Sequence, residues 1–431
     1  MNRNTRNKTI LAVILFVSLT LLISPVFGSF VMWSQNYGTE EAEEGTSIVQ
    51  TSDGGYAIAG GAMDIGVSYD FWLVKTDENG NILWTQKYRA GNGLEIARSL
   101  VQTPDGGYAL VGETYSLGAG SDDFWLVKTD EYGNIQWNRT YGGTNSDQAN
   151  SLIVTSDGGF AIVGKTNSYG SGHSDYWLVK TDANGIRQWN KTYGGALYDF
   201  AYSLVESSDG GFVIAGYTGS VFDFVAFDVW LVKTDEFGNM VWNQTYGGIN
   251  DDFVFSVVET SDGGYALAGY TTSFGTGRAD AWLIKTDPNG NMEWNKTYGG
   301  IWDESVKSVI ETSDGGYALA GHMTTGNVTE HPFHVEDFWL IRTDESGIVL
   351  WNYTYGIDWD DRAQSIIETS DGGFALAGYS LPGSNMNFFV IKTNEYGIIP
   401  EFPSWTILPI FLMVTLFVIV FKKKLFHRSI E

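Results

Sequence analysis

Trp33-Ser34-Gln35-Asn36-Tyr37-Gly38 reads as a β-strand with no hairpin partner beside it, and where it pairs determines the architecture. Stretches of the same kind, such as Trp137-Asn138-Arg139-Thr140-Tyr141-Gly142, begin at Trp84, Trp137, Trp189, Trp242, Trp294 and Trp351, and each closes a repeated unit. The unit also carries an Asp-Gly-Gly-aromatic turn, with its aspartate at Asp53, Asp105, Asp157, Asp209, Asp262, Asp314 and Asp371, spaced by 52 or 53 residues until a last step of 57. A self-similar period of this length with several strands per copy signals a propeller or a solenoid.

Each copy reads as four strands, a to d. In the second, Ser99 to Thr103 is a, Tyr108 to Gly112 is b, Phe124 to Thr129 is c and Ile135 to Tyr141 is d. Asp-Gly, Gly-Gly and Asn-Gly between them supply the positive φ that tight hairpins need. Six copies end in d, but the seventh passes from Phe388–Thr393 into Gly397-Ile398-Ile399-Pro400 and has none. The orphan at Trp33 therefore supplies it. The expectation is an all-β, seven-bladed β-propeller of four-stranded antiparallel blades, closed by the N-terminal strand completing blade seven. A solenoid would need caps rather than a spare strand.

Aromatic residues make up 15% of the 431-residue chain, and thirteen of its sixteen tryptophans fall in register on strands c and d, as packing between blades demands. Without cysteine, neither disulfides nor thiolate chemistry is available. A formal charge of -26 excludes a nucleic-acid partner, which needs clustered cations. Residues 1–28 have the charges and apolar run of a signal peptide. Residues 29–399 are the propeller, 400–404 a linker, 405–421 an apolar transmembrane helix and 422–431 a basic tail expected to stay cytoplasmic. The propeller is expected outside the cell, anchored to the membrane by its C-terminus.

Pro400-Glu401-Phe402-Pro403, before that apolar run, resembles the PEF-type sorting signal of archaeal surface proteins. The resemblance implies an archaeal envelope protein whose C-terminal helix is exchanged for a lipid. The turn Thr76-Asp77-Glu78-Asn79-Gly80-Asn81-Ile82-Leu83-Trp84 resembles the tryptophan-docking motif of quinoprotein propellers and, more distantly, the Asp-box of sialidases. Its Asp-Gly-Trp spacing is one residue shorter than the first and longer than the second, so no catalytic residue carries over.

An acid stands four residues before the serine of each a strand: Glu43, Glu95, Asp147, Asp199, Asp252, Glu304 and Asp361. Around the mouth of a channel these would offer hard oxygen ligands to calcium; otherwise they tie down the loops between blades. A second set, Asp70, Asp123, Asp175, Asp228, Asp280 and Asp337 with Asn387, precedes strand c. Asn-x-Thr in strand d makes Asn138, Asn190, Asn243, Asn295 and Asn352 candidates for glycosylation, with Asn327 in a loop. Symmetry breaks in three places. The first is a loop from His322 holding His331 and His334; the second pairs Trp302-Asp303 with Trp359-Asp360; the third is an apolar loop with Phe222, Phe224 and Phe227. The histidines and the Trp-Asp pairs are ligand-binding candidates, the phenylalanines a contact surface for a partner.

No nucleophile elbow, zincin or phosphate-loop motif occurs. The expected function is a non-catalytic surface propeller binding a protein or a glycan. The alternatives are a secreted glycan-active or quinoprotein-like enzyme and a purely architectural envelope component.

Overall fold

The computed structural model describes residues 32–38, 42–64, 68–219, 226–325, 335–356, 360–381 and 386–399. The expected signal peptide, the Pro400 motif and the apolar C-terminal run lie outside these residues, as do Trp359, Asn327, His331, His334, Phe222 and Phe224. Among the described residues the regular structure is 28 strands, β1 to β28 in chain order, in seven four-stranded antiparallel sheets. Blade one is built from Glu43–Gln50, Tyr56–Asp64, Ser68–Thr76 and Ile82–Tyr88, and the next five follow in chain order. Blade seven contains Asp361–Glu368, Phe374–Ser380 and Asn387–Thr393, and its fourth strand is Trp33–Tyr37. Trp33 lies opposite Lys392 and Tyr37 opposite Phe388, so the ring closes through the two ends of the chain.

Strands b and c are sandwiched between neighbouring blades and read as continuous buried runs: every residue of Asp123–Thr129 is buried. Strand d is the rim, and Ile135–Tyr141 buries only its terminal tyrosine fully. Strand a is innermost and carries a bulge. In blade three the pairing passes from Ala149 opposite Gly164 to Ser151 opposite Val163, leaving Asn150 out of register. The glycine is required there: a Cβ on Gly164 would sit 1.9 Å from the Gln148 carbonyl oxygen. The same shift occurs in all seven blades.

Contacts between blades repeat around the ring. The strand-d tyrosine hydroxyl donates to a glycine carbonyl of the next blade, as from Tyr88 to Gly133 at 2.9 Å and Tyr141 to Gly185 at 2.7 Å. The closing strand does the same, Tyr37 donating to Gly80 at 2.7 Å. Each strand-d tryptophan packs on the aromatic after the next Asp-Gly-Gly turn, edge-on for Trp33 on Tyr56 at 5.6 Å and for Trp137 on Phe160 at 5.9 Å. At the other end, Ser156 N–H donates to Glu206 and Ser261 N–H to Glu311, both at 2.8 Å. Between blades two and three Pro104 has no N–H to give, and the residue opposite is Val154.

Within each blade a buried cation of strand c clamps the turn aspartate. Lys128 meets Asp105 and Lys180 meets Asp157, both at 2.8 Å, and Arg342 takes the role beside Asp314. Partial burial would raise Asp105, but bonds from Lys128, Thr103 and Gly107 outweigh it and hold the carboxyl at about 2. Its depressed value means this support is full above about pH 4 and lost as pH falls through 2.

Replacing Tyr141 by Phe removes the donor to the Gly185 carbonyl without altering shape. The expected cost is about 1–3 kcal/mol, read as a fall in Cm in urea with m unchanged.

Candidate functional site

The seven strand-a acids are buried rather than exposed on the face of the ring. Each heads strand a rather than preceding it, because its backbone already pairs with strand b, as Asp147 does with Thr166. That register turns the side chain into the seam between blades, where all seven acids are buried. Gly143 N–H and the Ser168 hydroxyl donate to Asp147 at 2.8 and 2.7 Å, so this acid fastens the loop between strands d and a. Among the described residues no three His, Cys, Asp or Glu side chains gather as a metal ion would require.

Across six of the seven seams the strand-c aspartate of one blade faces the acid of the next: Glu95 feels Asp70, Asp123 feels Asp147, and Asp175 feels Asp199. Gly194 lies between the last two, where a Cβ would stand 2.1 Å from Asp175 Oδ1 and 2.6 Å from Asp199 Oδ2. Burial, with Asp199 adding to it, pushes Asp175 up to about 6. Burial also raises Glu95, Asp123, Asp199, Asp228, Glu304 and Asp337. A raised carboxyl stabilises the fold below its unfolded value near 4, and that support is lost as pH rises through 6. Blade seven carries an amide, Asn387, at the position of these aspartates. Asp175→Asn is therefore expected to raise the Tm at pH 7.5 by about 2–4 °C and to flatten its decline between pH 4.5 and 7.5, measured by calorimetry across pH.

The residue that the bulge leaves out of register faces the axis. Thr46, Arg98, Asn150, Tyr202, Phe255, Lys307 and Gln364, one from each blade, line a single cavity of about 390 Å³ on the channel axis. Glu113, Gln148, Lys165 and Phe200 complete its wall. This ring was not among the sequence candidates. Its signal is present nonetheless, since the position lies three residues after the recurring acid and one before the recurring serine, and seven different residues fill it.

The lining is divided. Blades four and five give a continuous aromatic wall: Tyr202 to Phe255 at 5.1 Å, Tyr202 to Tyr217 at 5.6 Å, Tyr217 to Phe253 at 4.7 Å and Phe253 to Tyr270 at 4.9 Å. Phe227 joins it, 5.1 Å from Tyr217, so this contact candidate is part of the wall. Stacked His173, Tyr198 and Phe200 carry it outward to the loop before blade four, with spacings of 4.7 and 6.3 Å. Opposite stand paired charges, Arg98 with Glu113 at 2.9 Å and Arg362 with Glu336. Lys307 Nζ lies 3.4 Å from the Phe255 ring centroid, and Lys165 Nζ 5.3 Å from that of Phe200. Burial, reinforced by Arg362, pulls the Lys307 amine down to about 7.

His322 is not in a loop. It lies in strand b of blade six, Tyr317–Thr325, because that hairpin extends to the pairs Thr324–Glu336 and Thr325–Val335. Burial, with Arg362 and Lys307, pulls its imidazole down to about 3, so it is neutral, with Nδ1 buried and without a hydrogen-bond partner among the described residues. A neighbouring cavity of about 430 Å³ is lined by His322, Ser305, Asp303, Arg278, Tyr270 and Lys307, among others. Trp302, the residue before Asp303, is half-buried, and its carbonyl accepts from Arg278 N–H at 3.3 Å. Asp360 pairs with Glu336 in a single bridge. The strand-d asparagines Asn138, Asn190, Asn243, Asn295 and Asn352 are exposed, and each accepts from a strand-c indole N–H at 3.1–3.3 Å.

No family model matches the chain. It is similar to the regulatory protein FlaEY of Caulobacter vibrioides, 27% identical over 175 residues, which are 38% of this chain and 17% of that protein. It therefore spans about a sixth of that relative's length. Among solved structures it is similar to the Pan2 WD40 domain of Neurospora crassa (TM-score 0.48, 10% identity, 84% of this chain and 100% of that one). Sqt1 of Chaetomium thermophilum is similar with TM-score 0.47, 11% identity, and coverage of 86% and 89%. The α-L-arabinanase of Penicillium chrysogenum complexed with arabinobiose has TM-score 0.46, 10% identity, and coverage of 85% and 97%. The propeller assignment rests on the chain's own strand order and ring closure.

Proposed function

We propose that the chain is a non-catalytic binding propeller, held at the outer face of a cell membrane, that takes a surface glycan or a side chain of a surface protein into its central channel. One observation carries the reading. Around a ring whose seams repeat the same acid, serine, tyrosine and clamping cation, the axial position of strand a is occupied by seven different residues, Thr46, Arg98, Asn150, Tyr202, Phe255, Lys307 and Gln364. Blade packing explains the repetition but gives no reason for this variety. Concave lining with aromatic faces and a few polar groups suits a ligand.

The site lacks the features of a hydrolase. The one carboxylate lining the cavity, Glu113, is engaged by Arg98, whereas general acid–base chemistry needs a carboxyl poised to exchange protons. The membrane attachment is supported by the sequence at both ends: the apolar run 10–23 after Arg3, Arg6 and Lys8, and the apolar run 405–421 before Lys422-Lys423-Lys424. The Pro400-Glu401-Phe402-Pro403 motif supports replacement of the C-terminal helix by a lipid, and the exposed strand-d asparagines support glycosylation of the rim.

The reading is tested on a glycan array and in pull-downs from envelope extracts, comparing the native protein with Tyr202→Ala/Phe255→Ala. The double variant is expected to keep the native Tm within a few degrees and to lose at least tenfold in affinity. Undiminished binding by that variant, or turnover of a bound glycan, would sink the proposal.

A further inference from the structure

We infer that the central cavity is selective for an anionic saccharide, a uronate whose ring lies on the aromatic wall of blades four and five while its carboxylate meets Lys307. The inference rests on the channel being the binding site and adds the class of ligand.

The placement of charge is the first argument. The chain carries a net charge of -26, yet the cavity wall holds Arg98, Lys165 and Lys307 against the single carboxylate Glu113. Arg98 is committed to Glu113, which it meets through two nitrogens at 2.9 and 3.4 Å. Lys165 and Lys307 differ. Among the described residues no carboxylate lies within 4 Å of either amine, and the contact each makes is with an aromatic face. Long-range attraction of cations to so acidic a protein does not supply a local counter-ion inside a cavity, where burial penalises an uncompensated charge.

Geometry gives the second argument. The two lysines belong to blades three and six and flank the intervening wall: Phe200 and Tyr202 in blade four, Phe255 in blade five. Tyr202 and Phe255 meet at 5.1 Å and 90°, so one ring presents a face where the other presents an edge. A pyranose ring placed on that wall has its apolar C–H face covered, and a carboxylate on the ring projects toward Lys307 at its margin. The cavity of about 390 Å³ lies at the small end of ligand sites, which favours one or two sugar units.

Lys307 supplies a third, supporting argument. It is faced by Arg362 from strand a of blade seven, His322 from strand b and Glu336 from strand c of its own blade, and Tyr270, Arg278 and Asp303 across the neighbouring cavity. In that setting burial and Arg362 bring the amine down to about 7, while Glu336 opposes them. An arriving carboxylate favours the protonated amine. Binding should therefore take up protons above pH 7, and affinity should weaken as pH rises from 6 to 8.5.

The experiment is calorimetric titration of the full-length protein with mono- and disaccharides of glucuronate, galacturonate and mannuronate, each beside its methyl ester. The ester keeps the ring and removes the charge. At least one uronate is expected to bind ten times or more tightly than its ester, and Lys307→Met should remove most of that preference, Lys165→Met a smaller part. Titration at pH 8 in two buffers of different ionisation enthalpy should show proton uptake that Lys307→Met abolishes. If esters bind as well as acids and only Tyr202→Ala or Phe255→Ala weakens them, the channel reading stands and the anion inference falls. If binding ignores all four substitutions, both fall. If no uronate in the set binds at millimolar concentration, the inference is overturned.

Discussion

The pairing of Trp33–Tyr37 with Asn387–Thr393 is the constraint on which the ring depends. Without it blade seven ends at a c strand whose outer edge is bare, and the tryptophan and tyrosine that bind blade seven to blade one are missing. With it, every blade presents the same face to its successor. Trp33 reaches Tyr56 and Tyr37 reaches Gly80 just as Trp137 reaches Phe160 and Tyr141 reaches Gly185. Closure thus joins the most distant parts of the sequence through contacts that are local everywhere else. It also leaves only short edges at the rim, which limits edge-to-edge association.

Because identical seams hold the ring, the innermost strand is relieved of structural duty at one position. The bulge separates the two roles. Residues before and after it pair with strand b and seal the seam, and the unpaired residue turns to the axis. Close approach at the bulge needs a glycine on strand b, and that glycine recurs in every blade, at Gly60, Gly112, Gly164, Gly216, Gly269, Gly321 and Gly378. A small fixed residue on one strand thereby permits unrestricted variety on its neighbour.

Strand order, blade count and closure were legible in the sequence because each depends on local signals: turn glycines, strand-length apolar runs and a count of tryptophans. The position of the acids was not. Asp147 or Glu304 in sequence is a carboxylate before a strand, and only the pairing with strand b shows that it heads the strand and points into the seam. His322 misleads for a related reason, since it occupies the place of Tyr270 and Tyr379 in their b strands, and the extension of the blade-six hairpin hides that equivalence. The axial ring is legible in part. Alternation from the acid puts it on the opposite face, but the bulge there has no strong sequence mark, so a regular strand assigns the faces wrongly beyond residue four.

The electrostatics of seam and channel follow from one arrangement read on two sides. Carboxyls that face each other across a seam are buried together, and burial favours their protonated form, which lowers the charge the ring must hold near its centre. Residues one and three places further along face the axis instead, and there the chain has Lys307, Arg98 and Arg362. Sequence neighbours on opposite faces of strand a thus put the seven acids between blades, while of the charged residues at the inner positions only Glu44 is an acid. Alternation along a strand, rather than composition or net charge, decides which side chains face the channel.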